Sequence, residues 1–81
     1  MDIIFSKQAI KTINRMDTST KQRIKFAIKR LPDGDTKQLN NRQIITYRLR
    51  VGDWRVLYSF ENAYTILIEK IAPRGQVYKG V

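Results

Sequence analysis

The chain has 81 residues, enough for one domain and too few for two. Hydrophobic residues make up 42% and charged residues 28%, a globular balance, but 16 Lys and Arg against 7 Asp and Glu leave a net charge of +9. Such a field on so small a body points to a polyanionic partner: nucleic acid, a membrane surface or an acidic protein. Several chemistries are excluded. With no Cys there is no disulfide, thiol nucleophile or zinc ribbon, and with no His the usual metal ligand and general base are missing. The acids are scattered without ligand spacing, so no metal is expected, and no glycine-rich loop opens a helix, so no cofactor is expected either. No apolar run is long enough to span a membrane, and the opening Met1-Asp2-Ile3-Ile4-Phe5 lacks the basic region of a signal peptide. A cytoplasmic protein is the expectation.

In chain order, Ile3 to Phe5 reads as a short strand. Ser6 stands where a helix N-cap should, and Ala9, Ile10, Ile13 and Met16 recur at helical spacing, with Lys7, Lys11 and Arg15 as a basic outer stripe. Asp17-Thr18-Ser19 offers the next cap, and Ser19 with Gln22 has capping-box spacing. The second helix presents Ile24, Ala27, Ile28 and Leu31 inward. Lys21, Lys25 and Lys29 face outward, flanked by Arg23 and Arg30. Pro32-Asp33-Gly34 stops it, and the polar stretch to Arg42 reads as loop.

From Ile44 the period changes to two. Ile45, Tyr47, Leu49 and Val51 alternate with Thr46, Arg48 and Arg50, the pattern of a half-buried strand. Gly52-Asp53 fits a two-residue hairpin turn, Trp54 to Phe60 returns, Glu61-Asn62-Ala63 turns again, and Tyr64 to Ile71 forms a third strand before Pro73. Trp54, Tyr47, Tyr58 and Phe60 are expected to alternate into the core. The expected fold is therefore α+β: one domain over residues 1–81, with an N-terminal strand, a helical hairpin and a three-stranded antiparallel meander. The helices should pack on one sheet face.

The turn sets a register that opposes Val51 to Trp54, Arg50 to Arg55 and Leu49 to Val56. The apolar pairs share the core face. On the other face Arg50 lies opposite Arg55, with Arg48 two residues along. Opposed like charges destabilise a sheet, so removing one is expected to leave folding neutral or slightly improved. Three guanidiniums kept together favour an anion between them, and their planar donor forks suit phosphate. The alternative is that the Arg stems cover the outer face with solvated heads. Asp53 reads as turn chemistry, and Glu69 as a strand charge paired with a neighbouring cation. Beyond the last strand, the run from Arg74 to Lys79 combines a cation, a flexible Gly and Tyr78. Tyr78 has two readings: stacking on a base, or packing back on the domain.

The segments Tyr47-Arg48-Leu49-Arg50-Val51-Gly52-Asp53-Trp54-Arg55-Val56-Leu57-Tyr58 and Ile71-Ala72-Pro73-Arg74-Gly75-Gln76-Val77-Tyr78-Lys79 resemble the RelE/ParE toxin superfamily, and within it the RelE branch. The resemblance covers nearly the whole chain. It implies the toxin of a type II toxin–antitoxin pair: an mRNA interferase that enters the ribosomal A site on the small subunit and inhibits translation. It would cleave the message there by attack of a ribose 2′-OH on the adjacent phosphate, without a metal. An acidic cognate antitoxin would inhibit it and form with it a DNA-binding, autoregulatory complex. By the same resemblance, Arg48 and Arg50 lie in the strand that holds the scissile region, Arg55 binds the phosphate, Arg74 stands near the leaving oxygen and Tyr78 stacks on a base. The chain departs from some members in offering Arg where they carry Lys, and from many in having Pro73 where they carry His. Arg does not surrender its proton in proteins, so orientation and charge stabilisation would dominate catalysis. The competing expectations are a ParE-like inhibitor of DNA gyrase and a basic nucleic-acid-binding module without catalysis.

Overall fold

Ser6 ends the first strand and starts the first helix. In the computed structural model, which describes residues 1–39 and 45–77, its hydroxyl accepts the Ala9 N–H (3.1 Å) and donates to the Glu69 carbonyl (2.7 Å). Strand β1 (Asp2–Phe5) precedes it, and helix α1 (Lys7–Asn14) follows. Helix α2 (Thr18–Lys29) is capped by Asp17, whose carboxylate accepts from both the amide and the hydroxyl of Thr20. Those bonds hold the Asp17 carboxyl below its usual range, the hydroxyl bond contributing most. The cap is thus Asp17, and the Ser19–Gln22 pair lies inside the first turn.

Four further strands follow: β2 (Thr36–Leu39), β3 (Thr46–Val51), β4 (Trp54–Asn62) and β5 (Thr65–Pro73). They form one sheet in the order β1-β5-β4-β3-β2, with β1 parallel to β5 and the other neighbours antiparallel. Beyond the β1 pairing, the free edge of β5 is completed by a side chain. Gln8 donates to the Ile71 carbonyl (3.2 Å) and accepts the Ile71 N–H (3.1 Å), which pins α1 to the sheet.

The expected architecture holds, with one strand more than expected. β2 lies in the stretch read as loop. It has one apolar residue, Leu39, and its order comes from pairing to β3 rather than from burial, as suits a short polar edge strand. Both helices cover one face, where Ala9, Ile13, Ile24, Ile28 and Leu31 pack on Leu49, Val51, Val56, Tyr58, Ile66, Ile68 and Ile71. Each Ile, Leu or Val side chain among them contributes ~1.5–3 kcal/mol when fully buried. Three expected core residues are exposed instead. Ile45 precedes β3 and faces solvent, while its neighbour Thr46 is buried. Ile10 lies on the outer flank of α1. Phe60, near the far end of β4, is 40% exposed and meets Tyr47 and Tyr58 edge-on at 5.5 and 6.1 Å between ring centres. Among the described residues, no helix is long and apolar enough to cross a membrane.

Candidate functional site

The helix-free face of the sheet carries the arginines, and the ladder puts them there. The hairpin turns at Gly52, whose φ of +58° lies in the left-handed region that glycine occupies without cost. The observed register opposes Val51 to Trp54, Arg50 to Arg55, Leu49 to Val56 and Tyr47 to Tyr58, as the turn predicts. Arg48 lies opposite Leu57 on the same face as Arg50 and Arg55. Arg74 reaches the same end of the sheet, because its N–H donates to the Asp53 carbonyl in the turn (2.6 Å). Tyr78 lies outside the described residues.

The three strand arginines differ in what they do. Arg55 is only 8% exposed, and its guanidinium bends back to donate to the Gly52 carbonyl (2.7 Å) and the Trp54 carbonyl (2.9 Å). These bonds brace the turn. Arg50 is open, with its Nε 3.9 Å from Asp35. Arg48 is partly covered. One terminal nitrogen lies 3.7 Å from the same carboxylate, and its buried Nε has no hydrogen-bond partner among the described residues.

Beside these cations the face is apolar. Gln76 donates to the Pro73 carbonyl (3.0 Å), Gly75 takes a φ of +85°, and the resulting turn folds Val77 onto Leu57 and Ala72, with Leu39 at the margin. The tail up to Val77 therefore packs on the sheet beside the arginine row. Glu69 sits at an irregularity in the β4–β5 ladder, where Leu57 pairs with Lys70 and Tyr58 with Ile68. Its Oε2 is buried with no hydrogen-bond partner among the described residues.

Two residues at this end were given no role from sequence. Asp35 lay in the presumed loop. In the sequence Arg23 flanks the helical lysine stripe, yet a Cβ on Gly52 would stand 2.9 Å from its guanidinium. That proximity joins a helix to a hairpin tip and has no local sequence signal. The arrangement can bind an anion and stabilise negative charge. No group of His, Cys, Asp and Glu able to hold a metal occurs among the described residues.

A second surface lies on the helical side. Two adjoining hollows, of about 200 and 360 Å³, share Phe5 and Lys25. Ile10, Ile13, Ile3 and Ile28 supply further apolar lining, and Lys29 adds a second cation at the rim.

The sequence matches the family model described as the ParE toxin of type II toxin–antitoxin systems (parDE) over residues 3–78. Among solved structures, the fold is similar to an archaeal RelE–RelB complex from Pyrococcus horikoshii OT3, with 26% identity and a TM-score of 0.70 over 93% of this chain and 96% of that one. It is also similar to a RelB–RelE antitoxin–toxin complex from Methanococcus jannaschii, with 23% identity and a TM-score of 0.73 over 93% of this chain and 94% of that one. No curated protein is significantly similar in sequence.

Proposed function

Since the chain belongs to the ParE toxin family of type II toxin–antitoxin systems, we propose that within it this protein is an endoribonuclease of the RelE kind, cutting messenger RNA in the ribosomal A site. The observation that carries the reading is the placement of Arg48, Arg50 and Arg55 on the helix-free sheet face, with the Arg74 backbone tied to the hairpin turn at the same end. In this reaction a ribose 2′-oxygen bonds to the adjacent phosphorus as its proton departs. The P–O5′ bond breaks, the leaving oxygen takes up a proton, and a cyclic phosphate and a 5′-OH remain. Arg50 and Arg48 hold the phosphate, Arg74 approaches from the hairpin end, and Arg55 keeps the turn rigid beneath them. A preorganised donor aimed at developing oxyanion charge contributes ~10²–10³ in rate. Tyr78 is the proposed stacking platform for a base, worth ~1–3 kcal/mol.

A second reading, a ParE-like gyrase inhibitor, is favoured by the matching family model and by the inward commitment of Arg55. Primer extension on translated messages separates the two. Cuts in the A site that disappear in Arg50→Ala and Arg74→Ala support the nuclease. Intact messages together with inhibited supercoiling would establish the second.

The proposed partner is an acidic antitoxin, which with this chain forms a DNA-binding complex. The Pyrococcus neighbour is itself a complex of RelE with RelB, and the lysine-rimmed apolar groove over β1 offers both charge and area to an acidic amphipathic segment.

A further inference from the structure

We propose that Asp35 is a built-in anion, seated between Arg48 and Arg50, that the phosphate of the ligand displaces on binding. The inference rests on the polyanion-binding reading of this face. Its first support is placement. The Arg50 N–H donates to the Asp35 carbonyl (2.9 Å), and Thr36 pairs with Leu49, so the backbone holds Asp35 beside Arg50 on the side opposite Arg55.

The second support is the quality of the fit. The carboxylate stands 3.7 Å from Arg48 and 3.9 Å from Arg50, beyond the ~2.7–3.2 Å of an N–H···O hydrogen bond. It supplies charge to both cations and satisfies the donors of neither. The buried Nε of Arg48 lacks an acceptor among the described residues. A phosphodiester carries two unesterified oxygens on a tetrahedral centre and can approach both forks.

The third support is the ease of exchange. The side chains of Asp35 and Arg50 are 59% and 58% exposed, and an exposed ion pair holds only ~0–1 kcal/mol; the Arg48 side chain is 20% exposed, but its 3.7 Å contact includes no hydrogen bond that Asp35 would have to give up. In the free protein it offsets the crowding of like charges. In the complex it has given way, which lowers affinity for every anion and reduces the number of counterions that binding releases.

The test is binding of a fluorescein-labelled oligouridylate decamer, at several salt concentrations, to wild type, Asp35→Asn, Asp35→Ala and the control Asp33→Asn. Asp33 is exposed in the same turn and is no part of the site. Both Asp35 variants should bind ~2–5-fold more tightly than Asp33→Asn, the range an exposed ion pair allows. Their plots of log K against log salt should be steeper by up to ~0.7, the release expected from one more phosphate contact on a single strand. The control should keep the wild-type slope. Equal or weaker binding by the Asp35 variants would overturn the proposal, and weaker binding would make Asp35 a support that positions the arginines. Failure of the underlying reading looks different: Arg48→Ala and Arg50→Ala would then bind the decamer as well as wild type does.

Discussion

Arg50 and Arg55 are direct partners across the β3–β4 ladder, yet their head groups part. Arg55 turns back into the hairpin and donates to the carbonyls of Gly52 and Trp54, while Arg50 leans away toward Asp35. Backbone pairing puts two like charges side by side, and side-chain geometry separates them. One becomes a structural brace, and the other stays available to a ligand.

Removal of the two should therefore have unequal effects on folding. Arg55→Ala leaves two turn carbonyls without their charged donor and should cost about 2–3 kcal/mol, in the range for hydrogen bonds to charged groups. Arg50→Ala removes an exposed side chain and should stay within ~0.5 kcal/mol of wild type. Urea denaturation of both variants checks the difference. Equal midpoints would show that the Arg55 bonds contribute nothing net. Sequence reasoning alone expects neutrality at both positions, and the structure retains that expectation only for Arg50.

Leu49 is 2% exposed and packs within the cluster that joins both helices to the sheet. Leu49→Ala should lower stability by ~2–5 kcal/mol through lost transfer energy and a residual cavity. A loss below about 1 kcal/mol would place the helices elsewhere.

Gly52→Ala combines backbone strain with crowding. The left-handed φ disfavours a Cβ, and that Cβ would meet the Arg23 guanidinium at 2.9 Å. Because that guanidinium is the end of a long side chain, it can move, and the expected loss is ~1–2 kcal/mol, mostly from the backbone. In the double variant Gly52→Ala with Arg23→Ala, thermal melts should recover only the small crowding part.

Burial raises the pKa of the Tyr58 phenol above its ordinary value of 10.0; a hydrogen bond with Thr36 opposes the rise and the neighbouring Tyr47 adds to it. The native state then keeps its proton at pH values where the unfolded chain has lost it. Stability should be unaffected by this group below about pH 9 and fall as pH rises beyond 10, the unfolded value. Denaturant melts of wild type and Tyr58→Phe check the sign: the slope should be shallower in the variant. A stability that rises through this range would contradict the burial of the phenol.

Much of the fold is legible in local pattern. The change from helical to strand period near residue 45 marks the boundary between helices and meander, and Ser6 is read as a cap from its type and position. The hairpin register follows from Gly52-Asp53 alone, because a two-residue turn leaves one way to pair the strands. That register places Arg48, Arg50 and Arg55 on one face, so the core of the candidate site is present in the primary structure.

The rest depends on contacts distant in sequence. β2 has too few apolar residues to announce itself, and it exists because β3 offers an edge to pair with. The inward turn of Arg55 depends on carbonyls that the hairpin makes available once it has closed. Arg23 and Gly52 are brought together by packing, as are Val77 and Leu57, and no periodicity encodes either meeting. Asp35 reaches Arg48 and Arg50 for the same reason, since only the β2–β3 pairing brings its backbone beside theirs. By itself the sequence determined which residues share a face, because side-chain alternation in a strand is a local rule. Tertiary structure decided which of those charges is bonded into the turn and which face Asp35, because a guanidinium turns to whichever acceptors the folded chain puts within its reach.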